Sequence, residues 1–323
     1  MRPVWSRRAL LGSLPLASFA AASDSPLRLF RDSATEFEIA RYTEPSYNSV
    51  LPSQQLRIFS RGSFLLSSDR DGSWRPYLSD IRTGVTRAVW PAANYDPGTL
   101  TFGMGDRWLL CFEGDRLVTG ALGASKTQSL YTIPSNTERT GFAVSALGEI
   151  VMATKAAGEG QLIFLKSTTK ADPSVVRVGA PVDFVCFRPR QAGVAVLQAG
   201  RVNVLEGTKS FSVPAPPGRM SVPTWTQDGK GILYLLEPAE PRQLIQLREY
   251  RFDTSKDRML AKTSQYATFA RNADASVFAG ISSNRASRHV LLLTRVARRE
   301  LTICEHAASR AQMVQVFFTP NSQ

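Results

Sequence analysis

Residues 56–89 read LRIFSRGSFLLSSDRDGSWRPYLSDIRTGVTRAV, and the alternation of apolar runs and turn residues in this stretch decides the fold. Leu56 to Phe59, Phe64 to Ser67, Trp74 to Asp80 and Val85 to Val89 read as four short strands. Between them, Arg70-Asp71-Gly72 and Thr83-Gly84 supply residues that tolerate positive φ, as tight antiparallel turns require. Four antiparallel strands in about forty residues make a sheet that cannot bury both of its faces alone, and radial packing of several such sheets removes that problem.

Working outward, the same pattern recurs. Strong apolar runs begin at Phe64, Trp108, Ile150, Val194, Ile232 and Val277, at intervals of 44, 42, 44, 38 and 45 residues. An aromatic residue precedes each run: Phe59, Phe102, Phe142, Phe187, Trp225 and Phe269. A two-sheet sandwich would also show many short strands, but it has no reason to repeat an aromatic-then-aliphatic pair at a near-constant interval. The expected architecture is an all-β propeller with four-stranded antiparallel blades.

Six units are followed by Val314 to Phe318, which reads as the opening strand of a seventh blade. In two earlier units the strong run starts seven residues after the aromatic, from Phe187 to Val194 and from Trp225 to Ile232, and from Phe318 that count passes Gln323. A seven-bladed propeller with an incomplete last blade is therefore expected. Phe37 to Thr43 alternates as an outer strand should, so residues 23–55 are expected to form an extended segment that gives one strand to the last blade, with the propeller proper over 56–323. The remaining edge would be left open or covered by an oligomer. A truncated gene product would show the same pattern.

The N-terminus has a different logic. Arg7-Arg8 precede a short run of small and apolar residues that reaches Ala20-Ala21-Ala22 without another charge, which reads as a twin-arginine-like signal peptide over 1–22. Gly12, Ser13, Pro15 and Ser18 interrupt a run already too short to cross a membrane, so no transmembrane segment is expected in the mature chain, and the place of action is periplasmic or extracellular. Without Arg2, Arg7 and Arg8 the formal charge falls from +12 to +9. The basic residues are scattered and carry no nucleic-acid motif, so no nucleic-acid partner is expected. Cys111, Cys186 and Cys304 lie far apart, with no metal-ligand spacing, and two of them sit in apolar strands where a thiol acts as a small hydrophobe.

Ser67-Ser68-Asp69-Arg70-Asp71-Gly72, followed by Tyr77-Leu78-Ser79-Asp80-Ile81-Arg82-Thr83-Gly84, resembles the blade repeat of TolB-type, WD40-like propellers. Trp225-Thr226-Gln227-Asp228-Gly229-Lys230 and Phe318-Thr319-Pro320-Asn321-Ser322 resemble its strand-and-turn opening. Within that superfamily the overall order is similar to the oligogalacturonate lyases. That resemblance implies a seven-bladed fold and, in pectin degradation, β-elimination on uronic-acid oligosaccharides with a divalent metal such as manganese held by several His and a Gln. The chain has only two histidines, His289 and His306, so a three-His metal site cannot be assembled in one chain. His306 falls where the resemblance places a ligand cluster and is the single surviving metal candidate. Met220 to Trp225 lacks the isolated His expected there, and His289 falls within a strand.

In a propeller the loops between second and third strands, and those between blades, gather on one face around the channel. That rule selects Arg70, Asp71, Glu113, Asp115, Lys155, Glu237, Arg242, Arg285 and Arg288 from the hairpin loops. It adds Tyr95, Arg139, Arg219, Tyr266 and His306 from the connections between blades. Arg70, Arg139, Arg219, Arg242, Tyr266, Arg285 and His306 are the principal ligand-binding candidates, since arginine grips carboxylates and tyrosine stacks on sugar rings. No nucleophile, general base or phosphate loop announces itself, so no catalytic residue is assigned. Two readings follow: a binding propeller for an acidic oligosaccharide or an envelope protein, without an intact metal-lyase site, or a polysaccharide lyase of the oligogalacturonate type that uses manganese or another divalent ion.

Overall fold

A computed structural model of the chain describes residues 27–90, 94–166, 172–263, 266–282, 288–306, 308 and 314–320. The expected signal peptide over 1–22 and the site candidate Arg285 lie outside the described residues. The structure is all-β, with two short 3-10 turns at Pro97–Thr99 and Met104–Asp106.

Besides a two-stranded N-terminal hairpin, the strands of the described residues form six antiparallel sheets in which spatial order follows chain order. The first blade is built on Ser63–Ser68, Arg75–Asp80 and Thr86–Ala88, with its innermost position split between Ser49–Val50 and Phe59–Ser60. The second comprises Thr101–Phe102, Trp108–Glu113, Arg116–Ala121 and Gln128–Thr132, and the third Glu138–Val144, Glu149–Ala156, Glu159–Lys166 and Ser174–Gly179. Phe184–Phe187, Val194–Gln198, Arg201–Glu206 and Lys209–Ser212 make the fourth. Gly218–Trp225, Gly231–Pro238, Gln246–Arg251 and Lys256–Lys262 make the fifth, and Tyr266–Arg271, Val277–Ser282, His289–Thr294 and Glu300–Glu305 the sixth.

Packing explains why the second strands are apolar on both faces. Successive side chains of a strand point to opposite sides. In the second blade Leu109 and Cys111 pack toward the first blade, while Leu110 and Phe112 pack with Phe142, Ile150 and Met152 of the third. In the fifth, Ile232, Tyr234 and Leu236 join Val202 and Val204 of the fourth, while Leu233 and Leu235 join Phe269 and Phe278 of the sixth. Each second strand is thus sandwiched between two neighbours. The outermost strands have no such cover, and Lys209–Ser212 is exposed throughout.

The expectation of seven blades is corrected to six four-stranded blades among the described residues. Two pieces occupy the interval between the sixth blade and the first. Residues 314–320 alternate as an inner strand does: Val314, Val316 and Phe318 pack against Ala270 and Ile281 of the sixth blade, and Phe317 meets Phe59 of the first at 6.2 Å between ring centres. This stretch has no strand partner among the described residues. Outside it, Arg28–Arg31 and Glu38–Arg41 pair only with each other, so the N-terminal segment gives a two-stranded hairpin where a single strand was expected. The hairpin is tied to both neighbours: Thr35 Oγ1 donates to the Ile303 carbonyl at 2.6 Å, and the Tyr42 hydroxyl donates to the Ile81 carbonyl at 2.5 Å.

The split inner strand of the first blade has a further consequence. Residues 51–58 leave the sheet and run into the central channel. Ser53 N donates to the Gly98 carbonyl at 2.9 Å, and Arg57 N donates to Thr101 Oγ1 at 3.1 Å. Gln55 Nε2 donates to the Phe142 carbonyl at 3.2 Å, and Gln54 Nε2 donates to the carbonyls of Phe269 and Val316. One loop that reaches the inner strands of the second, third and sixth blades crosses the channel and plugs it.

Candidate functional site

The plug separates two mouths. On one face lie the loops between second and third strands and the connections between blades; on the other lie the turns between first and second strands. The residues predicted from sequence belong to the first of these, and the structure shows where each goes.

Arg70 lies over the Tyr77 ring of its own blade at 3.9 Å, and Tyr77 donates its hydroxyl to Asp71 at 2.6 Å. Arg139 pairs with Asp96 at 2.6 Å while its guanidinium covers the Phe112 ring at 4.4 Å. Arg219 is exposed and lays its stem over Gly200, whose φ of 73° and missing Cβ make room for it. Arg242 is exposed on a loop with φ of 66°. Tyr266 is buried, its ring lies flat against Gly280, and burial raises its hydroxyl pKa. Its hydroxyl has no partner among the described residues, and neither ring nitrogen of His306 has one. Burial, reinforced by Arg288 and His289, lowers the His306 pKa. Among the described residues no hydrogen bond or ion pair joins any two of these candidates, so the face holds individual polar groups rather than an assembled cluster.

The donor set on this face does not fit a divalent metal. Among the described residues no three His, Cys, Asp or Glu side chains come close enough together to hold an ion. The second histidine, His289, faces Glu305 at 3.5 Å. His306 offers a single ligand.

The large cavity opens on the other face. It measures about 1810 Å³ and lies beneath the plug at the ends of the inner strands. Its walls are mainly aromatic and aliphatic: Phe59, Phe187, Phe317 and Phe318 surround the channel, with the buried Trp225 and Phe269 packed behind them, and Leu147, 78% exposed, stands at the rim. A cleft between the third and fourth blades continues it past Phe164 and Val176.

Several arginines reach this cavity, and their partners divide them into two groups. Arg57 pairs with Asp106 at 2.5 Å. Arg188 pairs with Glu206, donates to the Gly229 carbonyl at 2.7 Å and lies 5.1 Å from the Trp225 ring centre. Those charges are already answered. Arg271 donates Nε to the Trp225 carbonyl at 3.1 Å, and Nη1 to the carbonyls of Asn272 and Ala273 at 3.0 and 2.9 Å, but meets no carboxylate among the described residues. Burial lowers its pKa, an effect that Asp228 opposes. Arg190, held at φ of 60°, has no hydrogen-bond or ion-pair partner among the described residues.

A second groove of about 630 Å³ runs between the fifth and sixth blades on the same face, and Arg190 lines it as well. Most of its other charges are paired, Lys256 and Asp274 being in no ion pair among the described residues. Glu249, 3% exposed, accepts from Arg258 Nη2 and Arg295 Nη2, each at 2.6 Å. Arg251 bridges Asp228 and Asp253 at 3.0 and 2.7 Å. Burial alone would raise the Asp228 pKa, but the Thr226 hydroxyl, the Lys230 amide and Arg251 outweigh it and hold it down at about 2.

Sequence reasoning missed Gln54, Gln55, Arg190 and Arg271 because it ranked only the loops of the opposite face. A usable signal was present: Arg188-Pro-Arg190 directly follows the aromatic Phe187 at the end of a first strand, and Arg271 lies two residues after Phe269 at the end of another.

No family model matches the sequence, and no curated protein matches it. Solved structures do match. An oligogalacturonate lyase in complex with manganese superimposes with a TM-score of 0.79 at 16% identity, over 88% of this chain and 85% of that one. The oligogalacturonate lyase of Vibrio parahaemolyticus gives 0.79 at 14% identity over the same shares. TolB from Acinetobacter baumannii gives 0.52 at 11% identity, over 80% of this chain and 63% of that one. The resemblance drawn from the blade repeat thus holds at the level of structure, and at these identities it fixes the propeller fold.

Proposed function

We propose that the protein is an extracytoplasmic binding propeller that holds an acidic ligand, an acidic oligosaccharide or an acidic segment of an envelope protein, at the turn-face mouth of its channel without turning it over. The observation that carries this reading is the cavity of about 1810 Å³ closed at its inner end by residues 51–58, into which Arg190 and Arg271 bring positive charge that makes no ion pair among the described residues, Asp228 acting on Arg271 only from beyond ion-pair distance. A concave, largely apolar site with a few convergent polar groups is the usual form of a ligand pocket. The Arg7-Arg8 signal and the basic balance of the chain support export and an anionic ligand. Calorimetric titration of the purified protein with trigalacturonate and other acidic oligosaccharides, beside a pull-down from envelope extract, tests the reading. Binding that Arg190→Gln weakens supports it, and silence in both assays overturns it.

A second reading, a polysaccharide lyase acting by β-elimination on uronic-acid oligosaccharides, is favoured by the overlap with two oligogalacturonate lyases across 88% of the chain and by the unpartnered His306 ring. In this reading neutral His306 takes the proton next to the sugar carboxylate. Incubation with di- and trigalacturonate, with and without manganese, should then produce the absorbance of the unsaturated product, and His306→Ala should abolish it. A flat trace for the folded protein under both conditions rejects it.

A further inference from the structure

The polar side chains of the turn-face cavity are largely consumed by the fold. Gln54 spends its amide on Phe269 and Val316 and accepts from Thr268 Oγ1 at 2.6 Å, and Gln55 donates to Phe142. Asn272 accepts from the amides of Ser276 and Val277, both at 3.0 Å, and donates to Ser276 Oγ at 3.0 Å. The Ser145 hydroxyl is taken by the amides of Leu147 and Glu149 at 3.2 and 2.9 Å. A sugar ring or a peptide backbone brings many donors and acceptors into such a site, and each one left unpaired on burial costs free energy.

Two arginines are left over, while Lys166, Asp172, Gln191 and Gln227, whose side chains make no bond among the described residues, are exposed to water along the lining. Arg271 uses Nε and Nη1 on backbone carbonyls, and its Nη2 has no partner among the described residues. Those three bonds fix the plane of the guanidinium, so its remaining donor edge is oriented before a ligand arrives. Arg190 stands free at the junction of the cavity with the groove between the fifth and sixth blades. Arg271 is half-buried, so the lower surrounding dielectric strengthens its attraction for an anion over that of a cation in bulk water, whereas Arg190 is exposed and adds a solvated charge. Around both, the surface is aromatic and aliphatic.

We infer that the turn-face cavity takes an apolar carboxylate, a carboxylic acid with an alkyl or aryl body, with the carboxylate on Arg271 and Arg190 and the body along Phe187, Phe317 and Phe318. This inference rests on the binding reading above and narrows its ligand: one anionic group and little other polarity. The loop face, with His306 and Tyr266, takes no part in it.

Calorimetric titration of the purified protein with decanoate, decanol and trigalacturonate decides the matter. Decanoate should bind, and decanol should bind at least about tenfold more weakly, since the missing charge-assisted bonds are worth about that factor or more. Arg271→Gln and Arg190→Gln should each weaken decanoate by roughly tenfold, with Arg271→Lys, which keeps the charge, losing less. Should Arg271→Gln fail to fold by circular dichroism, Arg190→Gln, which removes no internal bond, carries the test alone. Equal binding of decanol and decanoate, or unchanged decanoate affinity in a folded Arg190→Gln variant, overturns the inference. Trigalacturonate binding without decanoate binding also overturns it while leaving the broader binding reading standing. Failure of all three ligands, with no partner from envelope extract, removes both.

Discussion

Replacing Gln54 tests how the ring is closed. Its side chain makes three hydrogen bonds, donating to the Phe269 and Val316 carbonyls and accepting from Thr268 Oγ1, and so ties the plug of the first blade to the sixth blade and to residues 314–320. Each such bond contributes a net of about 1 kcal/mol, and a buried partner left unsatisfied adds to the loss, so Gln54→Met should cost roughly 2–4 kcal/mol. Methionine keeps most of the volume, so the loss reports on the bonds rather than on a void. At an unfolding entropy of about 2.1 cal/mol/K per residue, each kcal/mol moves the melting temperature of a domain of roughly 300 residues by about 1.6 °C, which places the expected drop at roughly 3–6 °C. Gln54→Glu retains an acceptor for Thr268 but turns an anionic oxygen toward two carbonyls, and should melt no higher than Gln54→Met. Thermal melts followed by far-ultraviolet circular dichroism, with urea midpoints alongside, give the measurement. If Gln54→Met melts within about 1 °C of the parent, less than the effect of one lost bond, the plug does not hold the ring together and the reasoning fails.

Glu249→Gln removes the carboxylate shared by Arg258 and Arg295 across the seam between the fifth and sixth blades. A loss of roughly 2–3 kcal/mol is expected, below the usual cost of breaking a fully buried pair because Arg258 is 58% exposed; a lower urea midpoint at unchanged slope would show it. Gly280→Ala would place a Cβ 2.4 Å from the Tyr266 ring, so Tyr266 must move at a cost of about 1–3 kcal/mol, visible as an altered near-ultraviolet spectrum. His306 gives a pH signature. Its folded pKa lies below its unfolded value, so stability is complete above the unfolded pKa of about 6.5 and falls as the pH drops through that value toward the lower folded one. Urea midpoints from pH 5 to 8 should follow that slope in the parent and flatten in His306→Asn, whereas equal slopes would place the histidine in solvent.

The parts of this fold that show in the sequence are those where one residue's position dictates another's. A second strand sandwiched between two blades is apolar over most of its length on both faces, and six runs such as Trp108 to Phe112 and Ile232 to Leu236 therefore stand out at near-constant spacing. Outer strands such as Lys209–Ser212, exposed throughout, carry no such demand and are legible only as intervals. The candidate site was harder. Arg70 and Arg139 sit on the expected face, but Tyr77 and Asp96 occupy them, and a pairing between residues about forty apart, as for Arg139 and Asp96, leaves no local pattern.

Residues 51–58 show why the plug escaped notice. Leu-Pro-Ser-Gln-Gln-Leu-Arg-Ile has apolar ends and a polar middle, and it reads equally as the approach to a strand. Its role is set by what it meets, the carbonyls of Phe142, Phe269 and Val316, which lie on three different parts of the ring. Backbone carbonyls are supplied by every residue alike, so their positions are a property of the closed ring and of no segment of the chain. Among the described residues the seam between the sixth and first blades has the smallest core cluster, with Ala270, Ile281 and Val316 buried. Gln54 therefore adds directed polar bonds where apolar packing is thinnest. The same loop that compensates for the missing blade closes the inner end of the cavity, so ring closure and ligand site depend on one set of bonds.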